Sequence, residues 1–301
     1  MLATYNGALF IKEQLESIAR QTHSAWTLTI SDDGSTDDTL DIVSQFAKQI
    51  GQPVTVLHGP QRGSTHNFFH LIQHVKTDNP QDLYAFSDQD DVWLDEKLAR
   101  AVQWHNKQTN QAVRLYCGRT QFVNELLKPI GLSPGIRRSP SFGNALVQNI
   151  ASGNTMVMSH AVLMAQKQVQ AMHSVWHDWT TYLVATAIGG QVWFDDEPVL
   201  LYRQHSENVV GANNSIILVI EAFAASVRGR YLNRINTQLD ACDDIDHLLT
   251  TSSHSTKMHF HLVLKNTSVV YRLILWRRSS IRRQAPLSNL ALALALLTKR
   301  L

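Results

Sequence analysis

The chain has 301 residues, of which 44% are hydrophobic and 17% are charged, and its formal net charge is +2. This length is enough for one large domain with an appendage or for two ordinary domains, and the composition excludes an intrinsically disordered chain. The small net charge excludes a protein that is polycationic as a whole, and the lack of any run of about 18 apolar residues means that no transmembrane helix is predicted.

Strand-like and helix-like segments alternate through the first two-thirds of the chain. Ser35 begins a segment with the spacing of a capping box, and Asp95 is placed to cap a later helix. The spacing of apolar residues predicts strands at residues 26–31, 54–57 and 83–87, and helices near residues 11–19, 40–50, 68–75 and 98–104. This alternation predicts an α/β fold with a mainly parallel central sheet and helices on both faces.

The chain opens with what resembles only the end of a strand. Residues 1–7 pass from apolar side chains into a loop that contains Thr4 and Tyr5. A buried strand usually needs about five residues. We therefore expect the N-terminal strand to be truncated, so that the strand presenting Thr4 and Tyr5 is short.

The pattern becomes less regular between residues 110 and 203. Strands are predicted at residues 113–117 and 191–194, a helix near Asp178, and a long loop where prolines and glycines cluster between residues 129 and 143. Beyond Asn213 the pattern is helical. We predict an α/β domain over residues 1–212 and a helical, basic region over residues 213–301.

Three carboxylates come directly after the apolar strand near residue 86, namely Asp88, Asp90 and Asp91. In open α/β sheets, ligands bind beyond the carboxyl ends of the strands. Neighbouring carboxylates repel one another unless a cation lies among them, and Mg²⁺ or Mn²⁺ prefers such oxygen ligands and shares them with phosphates. The turn is a candidate metal and phosphate site; the alternative is a solvated turn that caps the next helix.

A second acidic segment, residues 32–37, also follows a strand and precedes a helix. The carboxylates of Asp32 and Asp33 can accept hydrogen bonds from a nucleobase or from ribose hydroxyls. The alternative is an ordinary strand-to-helix turn with a capping serine. Two acidic strand ends in one sheet favour a binding site over two unrelated turns.

Six short motifs follow one another along residues 1–212. They are residues 3–7 (ATYNG), 31–37 (SDDGSTD), 87–93 (SDQDDVW), 149–155 (NIASGNT), 177–179 (HDW) and 202–211 (YRQHSENVVG). The first three resemble the ordered signatures of glycosyltransferase family 2. The whole set is similar to bacterial rhamnosyltransferases, which build surface polysaccharides such as lipopolysaccharide. This resemblance implies a GT-A fold and an inverting mechanism.

The resemblance also implies roles on the nucleotide side of the site. Asp32 and Asp33 would hold the nucleoside of a nucleotide-diphosphate-sugar donor. Thr4 and Tyr5 would shape the same pocket.

The remaining motifs imply roles at the reacting groups. Asp88 and Asp90 would engage Mg²⁺ or Mn²⁺ and the donor diphosphate, with Asp90 as the direct metal ligand. Asp178 matches the general base that deprotonates the acceptor hydroxyl, although it could instead cap a helix. His205 is a candidate metal ligand and Arg203 a candidate phosphate contact. For His205, a structural or surface role is the alternative.

Positive charge is concentrated towards the C-terminus. No Asp or Glu follows Asp246, whereas nine cations do: Lys257, Lys265, Arg272, Arg277, Arg278, Arg282, Arg283, Lys299 and Arg300. Cationic and apolar residues together are typical of helices that lie on an anionic membrane. The alternative is a basic helical subdomain folded on the α/β domain. Nothing supports nucleic-acid binding, because there is no recognition motif or aromatic platform.

These observations predict a metal-dependent glycosyltransferase of the hexosyltransferase type, with a glycan or lipid-linked acceptor. The resemblance suggests dTDP-rhamnose as the donor. The alternatives are a sugar nucleotidyltransferase, although residues 3–7 lack the Gly-rich basic loop it would need, and a catalytically impaired nucleotide-binding module. Cys117 and Cys242 have no metal-ligand spacing and fit a reducing compartment. We expect a cytoplasmic protein with peripheral contact on the inner face of the bacterial membrane.

Overall fold

Two groups of strands form the centre of the protein. The computed structural model describes residues 1–108, 110–204, 230–266, 268–278 and 280–298. The first group is a parallel sheet in the order β1 (Leu2–Thr4), β2 (Leu28–Asp32) and β3 (Val54–His58). Leu2 and Ile30 are partners in this sheet and are both fully buried. The strand that leads to Tyr5 is therefore short, as expected, and is held within the core.

The second group is a mixed sheet of six strands. They are β4 (Leu83–Ala85), β5 (Val92–Trp93), β6 (Arg114–Val123), β7 (Pro129–Leu132), β8 (Val157–Ser159) and β9 (Gln191–Arg203). Their order is β4-β8-β6-β9-β5, with β7 paired to β6. Strands β6 and β9 run parallel, and the other pairs are antiparallel. The α/β class is confirmed, while the strand directions are more mixed than the sequence led us to expect.

The two sheets meet at Ser87. This residue forms a parallel bridge with Leu2, and its carbonyl accepts a hydrogen bond of 3.2 Å from the backbone N–H of Ala3. The carboxyl ends of β1, β2 and β4 therefore lie along one edge. Both acidic segments of the sequence emerge at that edge.

Helices surround the sheets and supply the rest of the core. Ile11, Leu15 and Ile18 are buried along one face of the first helix, as their spacing predicts. The helices of the first 204 residues are α1 (Ile11–Ala19), α2 (Thr39–Gln49), α3 (Ser64–His74), α4 (Lys97–Lys107), α5 (Phe142–Ala145), α6 (His160–Gln166) and α7 (His177–Ala187).

Two details of the predicted elements are wrong. Ser35 does not cap α2, because its hydroxyl is bonded to Asp32 and the residue at the N-cap position is Asp38. Asp95 does not cap α4, whose N-cap position is Glu96.

The strands predicted at residues 113–117 and 191–194 are longer than expected, since β6 and β9 pair along most of their lengths. The loop predicted near residues 129–143 includes β7 and α5.

Residues 230–298 are mainly helical in the described part of the chain, as α8 (Arg230–Asp244), α9 (Thr251–Lys265), α10 (Val269–Arg278) and α11 (Pro286–Thr298). Phe260 and Ile281 are fully buried in the same hydrophobic cluster as Met158 and Leu183. The predicted domain boundary near Asn213 lies outside the described residues. Within the described ranges, each helix is too short or too polar to cross a membrane. The two cysteines are free and buried.

Candidate active site

The carboxylate of Asp32 organises the turn that follows β2. It accepts hydrogen bonds from the backbone N–H groups of Gly34 (3.1 Å) and Ser35 (2.9 Å) and from the Ser35 hydroxyl (2.5 Å). Gly34 has a φ of 95°, which favours glycine because it has no Cβ. Asp32 therefore fixes the shape of the turn that would face a nucleoside.

Asp33 joins this turn to the loop after β3. One carboxylate oxygen accepts a bond of 2.7 Å from the N–H of Gln61, and the other accepts a bond of 2.7 Å from the N–H of Gly63. Its own backbone N–H donates to the carbonyl of Thr4 at 2.9 Å. The structure thus gives Asp32 and Asp33 clear local partners, and their contact with a donor remains a prediction.

Gln89 connects the two acidic segments across the edge of the sheet. Its Oε1 accepts hydrogen bonds from the Thr4 hydroxyl (2.7 Å) and from the Tyr5 N–H (2.8 Å), and its Nε2 donates to the Tyr5 carbonyl at 3.1 Å. A Cβ on Gly7 would lie 2.4 Å from the same Oε1, so only glycine fits there without a shift. Thr4 and Tyr5 are therefore fixed to the Asp88–Asp91 turn, while the Tyr5 ring is exposed.

The carboxylates of the second turn sit in an environment that disfavours their charge. Burial, together with the charges of Asp90 and Asp178, raises the pKa of Asp88 to about 7. Burial raises the pKa of Asp91 as well, and the charges of Asp90 and Asp88 add to this effect. Asp91 is 1% exposed and accepts a hydrogen bond from the side-chain amide of Asn154. Without a cation at this turn, Asp88 and Asp91 therefore keep their protons to a higher pH than ordinary carboxyl groups do.

A buried lysine lies behind the acidic turn. Lys97 is fully buried, its ammonium donates to the carbonyl of Asn154, and it lies 3.2 Å from the centre of the Trp93 ring. Burial lowers the pKa of this ammonium, and the charges of Asp91 and Asp88 oppose that shift. Lys97 is therefore a buried cation whose charge acts on both Asp91 and Asp88.

The residues of this turn fit a divalent cation that is shared with a ligand. The described residues contain no group of three or more His, Cys, Asp or Glu side chains arranged to hold a metal. Asp88 and Asp90 offer two carboxylates, and Mg²⁺ is commonly bound through one or two carboxylates plus substrate phosphates. A cation there would relieve the repulsion that raises the pKa of Asp88. His205, the third predicted ligand, lies outside the described residues.

Asp178 lies in the first turn of α7, close to the acidic turn. One carboxylate oxygen accepts a bond of 3.1 Å from the N–H of Gly153, and the other accepts a bond of 2.6 Å from the N–H of Trp179. The N-cap position of the helix belongs to Trp176. Burial raises the pKa of Asp178 to about 6, although these hydrogen bonds act in the opposite direction. Such a carboxyl is ionised at neutral pH and remains basic enough to accept a proton.

Neutral aromatic groups enclose the base of the Asp178 site. His177 stacks on Phe68, with ring centres 3.7 Å apart, and meets the edge of Phe86 at 4.7 Å. Burial lowers the pKa of His177 to about 3, so this ring is neutral. Trp179 is buried and donates from its indole to the carbonyl of Ala145 at 2.6 Å. Trp179 is therefore a core residue.

Arg203 is buried beneath the acidic turn. Its guanidinium donates to the carbonyl of Asp90 at 3.1 Å and to the carbonyl of Glu125, and it is paired with the carboxylate of Glu13. It also lies over the ring of Phe10, 4.7 Å from its centre. These contacts fix the backbone of Asp90. The predicted contact of Arg203 with phosphate remains a prediction.

The structure brings most of the predicted residues to one edge of the sheet. The link through Gln89 joins Thr4 and Tyr5 to the acidic turn. The adjacent residues Gly153 and Asn154 donate hydrogen bonds to Asp178 and Asp91 respectively, which places Asp178 beside that turn. Gln89 and Lys97 were missed. Lys97 could have been identified from the sequence. A cation in the first turn of a helix interacts unfavourably with the helix dipole, so its position there indicates a nearby anionic partner.

Comparisons with known proteins agree with this geometry. The dTDP-rhamnosyl transferase RfbG of Shigella flexneri is 31% identical over 228 residues, which are 71% of this chain and 75% of that protein. The solved structure of S. aureus TarS in complex with UDP-GlcNAc superposes with a TM-score of 0.55 at 15% identity, over 92% of this chain and 88% of that one. A mannosyltransferase from Pyrobaculum calidifontis, solved with GDP-Man and Mn²⁺, gives a TM-score of 0.50 at 15% identity, over 99% and 84% of the two chains.

These likenesses define the class as a glycosyltransferase with a GT-A fold, which confirms the predicted architecture. The model of the family described as "Glycosyl transferase family 2" matches residues 1–169, which is more than half of the chain. The chain therefore belongs to glycosyltransferase family 2, as the motifs predicted.

Proposed function

We propose that the protein is an inverting glycosyltransferase that moves a sugar from a nucleotide-diphosphate donor to a hydroxyl of a glycan or lipid-linked acceptor. The observation that carries this proposal is the pairing of the acidic turn with Asp178. Gly153 donates a hydrogen bond to Asp178, and the adjacent Asn154 donates one to Asp91 of the turn, so Asp178 lies beside the acidic turn. A donor diphosphate at the turn would therefore have a carboxylate near its sugar.

In this proposal Asp178 is the general base. Its carboxylate is held by the N–H groups of Gly153 and Trp179, which fix its orientation. It takes the proton from the acceptor hydroxyl as that oxygen attacks the anomeric carbon. A displacement with one base on the side opposite the leaving group inverts the anomeric configuration. A Cβ on Gly153 would lie 2.5 Å from Nε2 of His177 and 3.1 Å from the Cβ of Asp178, so the glycine leaves room for both side chains.

Asp88 and Asp90 would hold Mg²⁺ or Mn²⁺ together with the diphosphate. When bound, such a cation neutralises the charge that develops on the departing diphosphate. Asp32 and Asp33 shape the turns that would enclose the nucleoside, with Thr4 and Tyr5 beside them. Arg203 and Gln89 hold the acidic turn in place: Arg203 binds the backbone of Asp90, and Gln89 joins the turn to Tyr5.

The most specific form of the proposal concerns the sugar and the pathway. The relative from Shigella flexneri is a dTDP-rhamnosyl transferase, and this supports dTDP-rhamnose as the donor and surface polysaccharide, including lipopolysaccharide, as the product. We place the activity in the cytoplasm, where nucleotide sugars are made, and two free buried cysteines are compatible with that compartment.

A donor screen with and without Mn²⁺ tests the proposal. Isothermal titration calorimetry with dTDP-rhamnose and other nucleotide sugars should show binding that depends on the metal. Incubation with a hydroxyl acceptor should release the nucleoside diphosphate and give a product with the opposite anomeric configuration. Donor binding without transfer to any acceptor would favour the impaired nucleotide-binding module instead. Family membership leaves the sugar nucleotidyltransferase alternative without support.

A further inference from the structure

One face of α10 exposes apolar and basic side chains together. Val270, Tyr271 and Ile274 are 69%, 52% and 43% exposed, and Arg277 and Arg278 are exposed as well. Their positions follow the spacing i, i+1, i+4, i+7 and i+8, which places them on a single face of a helix. An apolar face of this kind is normally turned towards the core.

The opposite face of α10 is the one that meets the protein. Arg272 is 3% exposed, and Trp276 packs against the main hydrophobic cluster. The exposed face therefore does not result from a helix that has failed to dock. The neighbouring helix α11 contacts α10 and exposes Leu287 (82%) and Leu290 (57%). We call the exposed residues of both helices the C-terminal surface: Val270, Tyr271, Ile274, Arg277, Arg278, Leu287 and Leu290.

The exposed face of α10 carries two cations, Arg277 and Arg278. The helix contains no Asp or Glu between Val269 and Arg278. The guanidinium of Arg282 lies over the ring of Trp276, 4.4 Å from its centre, and Trp276 precedes Arg277 in α10. Burial lowers the pKa of Arg282, and the charges of Arg138 and Arg277 lower it further. Among the described residues, none of the three has a carboxylate within ion-pair distance. An anionic partner would therefore complement the charge of this surface.

The chemistry of the C-terminal surface favours one partner over the others. A second copy of the chain would bring two cationic, carboxylate-free faces together across a twofold axis, and these faces would repel each other. Nucleic acid would satisfy the charge but would leave Val270, Ile274 and Leu287 in water. An anionic phospholipid bilayer satisfies both requirements, because its headgroups attract Lys and Arg while its acyl boundary accepts apolar side chains.

The segment between α10 and α11, which joins the two helices of the C-terminal surface, is hydrogen-bonded to the part of the fold that carries Asp178. The side chain of Gln284 accepts hydrogen bonds of 2.9 Å from the N–H groups of both Arg137 and Arg138. The Asn144 side chain donates to the carbonyl of Arg282 at 2.8 Å. The same loop is tied to α7 through a bond of 3.0 Å from the Ser141 N–H to the Tyr182 hydroxyl. A bilayer bound at α10 would thus be fixed relative to the helix that carries Asp178.

We propose that the C-terminal surface docks the protein on an anionic phospholipid bilayer. This proposal stands on the surface alone and does not depend on the proposed glycosyltransferase function. Binding to vesicles is therefore measured separately from sugar transfer.

The first experiment is sedimentation of the full chain with vesicles. The protein should bind vesicles that contain phosphatidylglycerol, should not bind pure phosphatidylcholine, and should be released by salt. The variant Arg277→Gln/Arg278→Gln should bind about 30-fold more weakly, since each cation near an anionic surface contributes roughly one tenfold step or slightly less. The matched control Lys48→Gln/Lys107→Gln removes two exposed charges elsewhere and should bind as the wild type does.

A second pair of variants tests the apolar contribution. Tyr271→Ser/Ile274→Ser should weaken binding to phosphatidylglycerol vesicles at high salt, where the charges are screened. The control Leu126→Ser/Ile130→Ser alters two exposed apolar residues near β7 and should have no effect. Circular dichroism and nucleotide binding show that each variant is folded.

Three outcomes would overturn the inference. The wild type could fail to bind phosphatidylglycerol vesicles, or the two control pairs could weaken binding as much as the test pairs. Light scattering could also reveal a dimer that the α10 variants dissociate, which would make the surface an interface between copies. Vesicle binding that remains normal in a chain that transfers no sugar would refute the proposed function and leave the docking surface standing.

Discussion

The side-chain amide of Gln89 is hydrogen-bonded to both the N–H and the carbonyl of Tyr5, at 2.8 and 3.1 Å. This pair joins the acidic turn, which would hold the diphosphate, to the loop that would shape the nucleoside pocket. Because Thr4 donates to the same oxygen of Gln89, three hydrogen bonds hold the two halves of the donor site together.

Replacing Gln89 should loosen the donor site without removing any group proposed to contact the donor charge. We expect Gln89→Ala to raise the dissociation constant of the nucleotide sugar about tenfold, since net hydrogen bonds contribute about 0.5–1.5 kcal/mol each and the loop becomes mobile. Calorimetry with Mn²⁺ present measures this change. Gln103→Ala, at an exposed position on α4, is the control, and an unchanged affinity in Gln89→Ala would show that the link is dispensable.

Removing the carboxylate of Asp90 should abolish the metal-dependent part of donor binding. In Asp90→Ala, we expect the affinity for a nucleoside diphosphate in Mn²⁺ to fall to the value measured without Mn²⁺. Asp95→Ala removes an exposed carboxylate five residues further along and should leave both values as in the wild type. If Asp90→Ala keeps its Mn²⁺ enhancement, the ligand assignment is incorrect.

Neutralising Asp178 should separate catalysis from binding. We expect Asp178→Asn to lower kcat by about 10²–10⁴-fold, the range associated with loss of a general base, while donor binding is retained. Because burial raises the pKa of Asp178 to about 6, wild-type kcat/KM should decline as the pH falls through about 6. Steady-state kinetics from pH 5 to 8 check both points. Normal turnover in the variant would exclude Asp178 as the base.

The same shift makes a prediction for stability. Since the folded pKa of Asp178 lies above the ordinary value of 3.8, the folded state binds more protons than the unfolded state between about pH 4 and 6. Ionisation of this group therefore lowers the free energy of unfolding as the pH rises through that window. Relative to the wild type, Asp178→Asn should be more stable at pH 7 than at pH 4. Urea unfolding at the two pH values measures this difference, and a constant difference would contradict it.

Lys97 and Asp91 should be energetically coupled. Lys97→Met leaves buried carboxylates without their internal cation, and we expect a loss of about 3–5 kcal/mol in the free energy of unfolding. The double variant Lys97→Met/Asp91→Asn should lose less than the sum of the two single variants. Lys107→Met, at the exposed end of α4, should change stability by no more than about 0.5 kcal/mol. Additive losses in the double-mutant cycle would show that the two groups do not interact.

Much of the fold could be read from local patterns. The apolar spacing of Ile11, Leu15 and Ile18 predicted α1 because that face is buried along its whole length. Strand direction could not be read in this way. The antiparallel pairing of β4 with β8 joins residues more than seventy positions apart. The apolar pattern within either segment does not indicate which strand it pairs with or in which direction.

The acidic residues of the site were identified because carboxylates at strand ends are unusual enough to stand out. The supporting residues Gln89 and Lys97 were not identified, because they bond largely to backbone atoms that any sequence possesses. The two helix caps failed for a related reason, since Ser35 has a stronger local partner in the carboxylate of Asp32 than in the helix. A polar side chain has several possible hydrogen-bond partners nearby, and only the folded geometry determines which of them it bonds.

The bonds from Gln284 and Arg282 to the loop around Arg138 and Asn144 also limit how this chain can be rearranged. A C-terminal region held in this way cannot be exchanged by itself for the corresponding region of another protein. Exchanging it between family members would require the matching loop to be transferred with it, because Gly143 can approach Ser280 only in the absence of a Cβ. Chimaeras designed to redirect the enzyme should therefore keep residues 136–148 and 280–284 from the same parent.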